Sequence, residues 1–321
     1  MNPTPSFDYD VAFGRNRGLV SMEEQRRLRG ARVAIIGAGG VGGIHALTLA
    51  RLGVGHFRLV DPDTFDLVNF NRQSGATMQT LGQPKASSVA AQVHAINPDA
   101  EVEAFNLPLD EGNVCSLLQN VDLVVDGLDF FALDARITTY GQCEEQGTPV
   151  VTSGPLGMSA TMHIFAPGGM SFTRYFDLHA GMSELDRFVA FLVGLTPRLT
   201  QRPYMDINQL SLEGHYGPSL GAACALCAGV VGVEALRVLL GRPGLKRAPH
   251  YYQFDAYRRC LRKGYLWGGN RNPIQRLKRF LVKRQILTSL RGKEGDEAVV
   301  SAHARQYDPG GVSQAARRRT A

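Results

Sequence analysis

The chain has 321 residues, 44% apolar and 20% charged, an ordinary globular balance that excludes a collagen-like, wholly disordered or disulfide-built protein. Its five cysteines are few, odd in number and scattered, which fits a reducing, cytoplasmic compartment, and the start MNPTPSFDYD has neither the basic nor the apolar region of a signal peptide. The net charge of +6 is uneven: from Arg258 onward 16 Lys/Arg stand against 4 Asp/Glu, while the preceding residues are net acidic, which suggests an anionic partner for the basic part, either nucleic acid or a membrane surface at which the protein would sit peripherally.

Residues 1–30 read as an arm and a short helix, because Ser21-Met22-Glu23-Glu24 is a capping-box pattern leading into EEQRRLRG. RVAIIG (32–37) is an apolar run of the kind found in buried parallel strands. It passes through GAGGVGG into IHALTLARLG, whose apolar residues repeat at helical spacing, and then to a second strand, HFRLVD (56–61). A helix is predicted over 84–94, strands over 101–105 and 122–129, a helix over 134–146 and a strand over 148–154. This alternation predicts an α/β fold: a Rossmann-like, doubly wound, mostly parallel sheet with flanking helices.

Residues 155–217 are predicted to be a crossover or insertion, with a strand at ATMHIF and a helix at ELDRFVAFLVG. The uncharged stretch 218–233 falls short of the ~20 residues that span a bilayer and reads as a buried helix. VGVEALRVLLG (231–241) is a helix stopped by Gly241 and Pro243, and HYYQFDAYRRC (250–260) a final strand. The main domain is thus expected over 31–257, followed by a basic tail over 258–321. In that tail Asn272-Pro273 opens a helix, Ile274, Leu277, Phe280, Leu281 and Leu287 fall near one face, and the last stretch, ending QAARRRTA, is expected to be disordered. The bland reading of this helix is a solvated element that docks its apolar edge on the body.

The chemistry is carried by motifs in sequence. Gly37-Ala38-Gly39-Gly40-Val41-Gly42-Gly43 lies directly between a strand and a helix. Gly37 permits the tight turn, Gly39 lets a phosphate approach the backbone, and Gly42 permits close helix–strand packing. Asp61, at the end of the next strand, can accept hydrogen bonds from ribose hydroxyls. So far NAD and ATP are served equally. The polar cluster that follows favours ATP: Asp61-Pro62-Asp63, then Asn69-Phe70-Asn71-Arg72-Gln73, then Gly82-Gln83-Pro84-Lys85. Nucleotidyl transfer builds charge on the α-phosphate and on pyrophosphate, and fixed cations and amides stabilise that charge.

With Asp126-Gly127-Leu128-Asp129 added, the chain resembles the ThiF/MoeB/HesA family of ubiquitin-activating-enzyme-like adenylyltransferases, whose pattern is G-x-G-G-x-G, D-x-D, N-x-x-R-Q, G-x-x-K and D-x-x-D in that order. The resemblance runs from about Phe13 to Gly241. It implies that Gly37, Gly39, Gly40 and Gly42 cradle ATP, that Asp61, with Asp63 beside it, holds the ribose, and that Asn69, Arg72 and Gln73 bind phosphates. Lys85 would neutralise charge at the α-phosphate and Asp129 would hold Mg2+. An N-terminal arginine, Arg15 with Arg17 as the alternative, would reach into the partner's site in a homodimer.

Three departures stand out. Phe130 occupies the position after the metal-binding aspartate where the family usually has Asn. Only one C-x-x-C pair, Cys224 and Cys227, is present, too few ligands for a tetrahedral zinc site, so no zinc is expected. Residues 155–217 contain no cysteine, so transfer without an acyl-thioester is expected. The resulting expectation is a cytoplasmic, homodimeric, Mg2+-dependent enzyme that activates a carboxylate as an acyl-adenylate. Its substrate class stays open among a ubiquitin-like sulfur carrier, a carboxylate on modified tRNA, and a peptide or metabolite. The rival expectations are an NAD-dependent oxidoreductase and an inactive scaffold.

Overall fold

The computed structural model describes residues 6–212 and 214–306, with side chains described as far as residue 289. A short helix, α1 (Tyr9–Ala12), precedes α2 (Met22–Gly30). The predicted capping box is formed at α2: the Ser21 hydroxyl accepts from the Glu24 amide at 3.1 Å, and the Glu24 carboxylate accepts from the Ser21 amide at 2.8 Å. Next come β1 (Arg32–Ile36), α3 (Gly42–Arg51), β2 (His56–Val60), α4 (Lys85–Ile96), β3 (Glu101–Phe105), α5 (Val114–Leu118), β4 (Leu123–Asp126), α6 (Leu133–Gln146) and β5 (Val150–Thr152). The chain continues through β6 (Pro155–Leu156), β7 (Ser159–Phe165), α7 (Phe172–Phe176), α8 (Glu184–Leu195), α9 (Gly221–Leu239), β8 (His250–Asp255), β9 (Cys260–Tyr265) and α10 (Pro273–Gln306).

One nine-stranded sheet runs β3-β2-β1-β4-β5-β7-β8-β9, with β6 paired to β7. The first five strands in this order are parallel. From β5 onward every pairing is antiparallel, so the sheet is mixed, half of it lying beyond the expected parallel core. The central parallel strands β1 and β4 bury both faces, whereas the edge strand β3 is largely exposed. Val33 and Ile35 of β1 enter a cluster with Leu49 of α3, Val89 and Val93 of α4, and Val231 of α9. Ala34 and Ile36 enter the opposite cluster with Leu118 of α5, Tyr140 of α6 and Phe176 of α7. Alternate side chains of one strand therefore feed two cores, which is why β1 reads as a continuous apolar run.

The two helical readings around 218–241 are one 19-residue helix, α9, long and apolar enough by composition to cross a membrane. Here it packs on β7 and α3, with Cys224, Cys227, Val231 and Ala235 buried and Val233 exposed. The predicted last strand is a hairpin: β8 pairs with β9, Asp255 opposite Cys260. The expected boundary at 257/258 therefore cuts a sheet element, and Arg258, Arg259, Arg262 and Lys263 belong to the folded body. The helix α10 docks on α8, but not by the expected face. Gln275, Val282 and Ile286 are buried, whereas Ile274, Leu277, Phe280, Leu281 and Leu287 are exposed. The predicted disorder at the very end lies outside the described residues.

Candidate functional site

Strand β1 has β2 on one side and β4 on the other, so the connections that leave the C-terminal ends of β1 and β4 run in opposite directions. Open α/β sheets form their ligand crevice at such a switch point. A cavity of about 560 Å³ opens there, lined by Gly37, Gly39, Gly40, Asp61, Arg72, Gln73, Lys85 and Asp129 among others.

The glycine loop is shaped by close backbone packing. Gly37 has φ +91°, and a Cβ there would sit 2.3 Å from the Gly127 carbonyl oxygen. A Cβ on Gly42 would sit 1.7 Å from the Gly37 carbonyl oxygen, so Gly42 serves helix–strand contact, as its spacing predicts. Gly39 differs: its Cβ would meet only the Gln73 side chain, at 3.5 Å. Space within the chain does not demand glycine there, and Gly39 leaves its backbone open to the cavity. The loop leads into the N-terminus of α3, which favours an anion.

Asp61 holds this loop. Its carboxylate accepts from the Ala38 amide at 2.6 Å and the Asp63 amide at 2.9 Å. Burial pushes its carboxyl above the ordinary value, and the two amides pull against that shift. Asp63 bonds the Lys85 ammonium at 2.8 Å, and that lysine is 6% exposed; the aspartate therefore positions the lysine at the start of α4. The Arg72 guanidinium is steadied by the Val68 carbonyl at 2.9 Å and the Asn71 side chain at 3.0 Å. Gln73 is buried beside Gly39, and its Oε1 has no partner among the described residues. As an acceptor, that oxygen calls for a donor such as water or a ligand hydroxyl or amine, not a phosphate oxygen.

Three expected residues stand apart from the cavity wall: Gly42, taken up by the helix–strand contact, Asn69 and Arg15. The Asn69 side chain accepts from the Asp66 amide at 3.0 Å, the reciprocal half of the capping box of the 3-10 turn Leu67–Asn69, and it does not line the cavity. Arg15, in the 3-10 turn Gly14–Asn16, also does not line its own chain's cavity.

Asp129 is exposed on the loop after β4, and its Oδ1 accepts from the Phe131 amide at 3.0 Å. Among the described residues no three His, Cys, Asp or Glu side chains come together as a metal cage. One carboxylate completed by phosphates and water is the usual Mg2+ arrangement at nucleotide sites, and Asp129 fits it. Phe130 packs against Phe191 and Phe188, with centroids 5.0 and 5.2 Å apart. It therefore forms part of an aromatic wall.

A positioning residue missed in sequence is Arg136 of α6. Its Nε donates to Asp126 at 2.9 Å, and the guanidinium also donates to the carbonyls of Asp129 at 2.6 Å and Leu128 at 2.5 Å. Asp126 further accepts from the Tyr140 hydroxyl at 2.8 Å and the Thr152 hydroxyl at 3.1 Å. This buried network fixes the loop that presents Asp129 and Phe130. Its sequence signal was an arginine seven residues after Asp129, on the first turns of a predicted helix. Cys224 and Cys227 lie on α9. Burial raises both thiols, Cys227 to about 12, so Cys227 stays protonated near neutral pH and is a poor nucleophile.

Comparison with known proteins agrees with this geometry. The chain is 35% identical over 142 residues to the tRNA threonylcarbamoyladenosine dehydratase of Bacillus subtilis, covering 44% of this chain and 55% of that protein. It is 31% identical over 225 residues to the probable adenylyltransferase/sulfurtransferase MoeZ of Mycobacterium tuberculosis, covering 69% of this chain and 51% of that protein. It thus spans about half the length of these relatives. The crystal structure of E. coli MccB with ATP shares the fold, with a TM-score of 0.60 at 15% identity over 82% of this chain and 72% of that one. The profile described as the ThiF family matches residues 13–264, from the N-terminal arm through β9, and the chain belongs to that family.

Proposed function

We propose that this chain activates a carboxylate with Mg·ATP. A carboxylate oxygen attacks the α-phosphorus, the bond from that phosphorus to the bridging oxygen breaks, and pyrophosphate leaves with the electron pair. The product is an acyl-adenylate. The observation that carries this reading is the convergence on one crevice of the glycine loop, two cations and an exposed carboxylate.

In this reading the amides of the 37–42 loop and the N-terminus of α3 hold the phosphates, and Asp61, whose carboxylate keeps that loop in shape, holds the ribose. Lys85 and Arg72 stabilise the charge that grows on the α-phosphate and the leaving group. Asp129 holds Mg2+, which supplies charge neutralisation on the phosphates. Arg15 comes from the partner protomer of a homodimer. The acyl group leaves directly to an external nucleophile, since no thiol stands in the crossover. The relatives' names make a sulfur-carrier C-terminus and a tRNA-linked carboxylate reasonable substrate classes, beside a peptide or metabolite. A cytoplasmic setting and an anionic contact for the basic C-terminal part, nucleic acid or membrane, belong to the same reading.

The test is calorimetric titration of Mg·ATP beside NAD+ on the wild type and on Asp129→Ala. Binding of ATP alone, weakened at least about tenfold by the substitution, is expected, since one lost charged contact to a metal–phosphate group is worth more than 1.4 kcal/mol. Binding of NAD+ alone would favour an oxidoreductase, and binding of neither an inactive scaffold.

A further inference from the structure

The cavity has two unlike ends. Of the five charged side chains on its wall, Asp61, Asp63 and Lys85 stand beside the glycine loop through the Asp61–Ala38 and Asp63–Lys85 bonds, Arg72 lies against Gly40, and Asp129 stands at the start of the aromatic loop. Beyond Asp129 the wall turns apolar: Phe130 and Phe131 from the loop after β4, Phe188 from α8, and Met205, Ile207 and Tyr216 from the crossover segment. The rings pack on one another, Phe131 lying on Phe188 at 5.5 Å and 22° and Phe130 against Phe188 at 5.2 Å. His215 stacks on Phe131 at 5.1 Å and faces Glu184 at 3.6 Å. Among the described residues no Lys, Arg, Asp or Glu lines this apolar end.

We propose that this aromatic lobe receives a bulky, uncharged, apolar group attached next to the carboxylate that is activated. The proposal rests on the adenylation reading and names the substrate class for the same site. Asp129 and Phe130 are consecutive, and Arg136 grips the backbone that carries both. The reacting carboxylate and the group beside it therefore meet the phosphate end and the aromatic wall within one residue's reach. A Gly-Gly terminus has no side chain to fill such a lobe, and its apolar wall would stay wet. An acidic or basic side chain would lose its water against these rings, where only His215, largely exposed and already facing Glu184, offers a charged partner. An aromatic or branched aliphatic group would gain by burial against rings already ordered by their own packing. Phe130, where the family usually carries Asn, is on this reading a specificity residue.

The test is exchange of radiolabelled pyrophosphate into ATP by the full chain. The carboxylates are N-acetyl-Ala-Ala-Phe, N-acetyl-Ala-Ala-Leu, N-acetyl-Ala-Gly-Gly and N-acetyl-Ala-Ala-Asp, with 3-phenylpropionate as the free-acid counterpart. A kcat/KM at least about tenfold higher for an apolar probe than for the Gly-Gly and Asp ends is expected. Exchange with 3-phenylpropionate alone would assign a small acid, and exchange with the apolar peptides alone a peptide terminus. Phe131→Ala and Ile207→Ala should raise KM for the apolar probe and leave calorimetric ATP affinity unchanged. Equal or better exchange with the Gly-Gly or Asp ends would overturn the proposal, as would loss of ATP affinity in those variants, which would make the lobe an adenine site. Exchange with none of the probes while Mg·ATP binds would also overturn it but spare the nucleotide site. Failure to bind Mg·ATP would instead sink the adenylation reading itself.

Discussion

Asp126 and Arg136 carry more of the site than their distance from the phosphates suggests. Both are almost fully buried, at 3% and 5% exposure, and each satisfies the other. A guanidinium is well suited to this place because its planar donors reach a carboxylate and two carbonyls at once. Arg136→Met would leave a carboxylate buried with only two hydroxyls and one amide, and should cost about 3–5 kcal/mol in urea denaturation. Adding Asp126→Asn removes the stranded charge, so the double variant should recover part of that loss. Nucleotide-dependent activity should stay low in both, because the carbonyls of Leu128 and Asp129 are no longer held. If the single variant unfolds at the wild-type midpoint, the network is not what holds the loop.

At the scale of elements, α10 separates what packs from what merely looks amphipathic. Its docking face is set by anchors that hydropathy does not register. The Gln275 amide donates to the Val193 carbonyl at 3.3 Å, Arg279 pairs with Asp177 at 2.7 Å and Lys283 pairs with Asp186 at 2.7 Å. Val282 and Ile286 close the contact with α8. Ile286→Ala should therefore destabilise the protein by about 2–5 kcal/mol, while Leu277→Ala should stay within about 0.5 kcal/mol; thermal melts of the two variants decide between the faces. The apolar density of Ile274, Leu277, Phe280 and Leu281 pointed to the wrong side because the polar anchors carry no hydrophobic signal. The strand β9 was hidden for a related reason. Most of its side chains are exposed, and Arg262 and Lys263 sit on it, as suits a charged sheet edge, so no apolar alternation betrays it. The β1–α3–β2 unit was legible because there the periodicity changes from strand to helix across a glycine run whose geometry leaves few alternatives. In the site, most of the charged and polar residues that line the cavity could be named from spacing. Asn69 could not be sorted from them, since a cap and a phosphate donor use the same side chain.

For the whole molecule, the remaining question is what completes the crevice. The glycine loop, Gln73, Arg72, Lys85 and Asp129 all belong to one cavity wall, and Arg15 does not. If Arg15 acts in the partner's site, each site of a two-fold dimer combines Asp129 of one protomer with Arg15 of the other. Arg15→Ala and Asp129→Ala homodimers would then each be nearly inactive in pyrophosphate exchange. Mixed one to one and re-equilibrated, half of the dimers would be heterodimers. In each of these one site carries both substitutions and the other carries neither, so activity should rise to about a quarter of the wild-type value. If Arg15 instead serves its own chain, every site in the mixture keeps one defect and no activity returns. Return of activity thus identifies a shared site, which in turn requires the dimer to be the working unit.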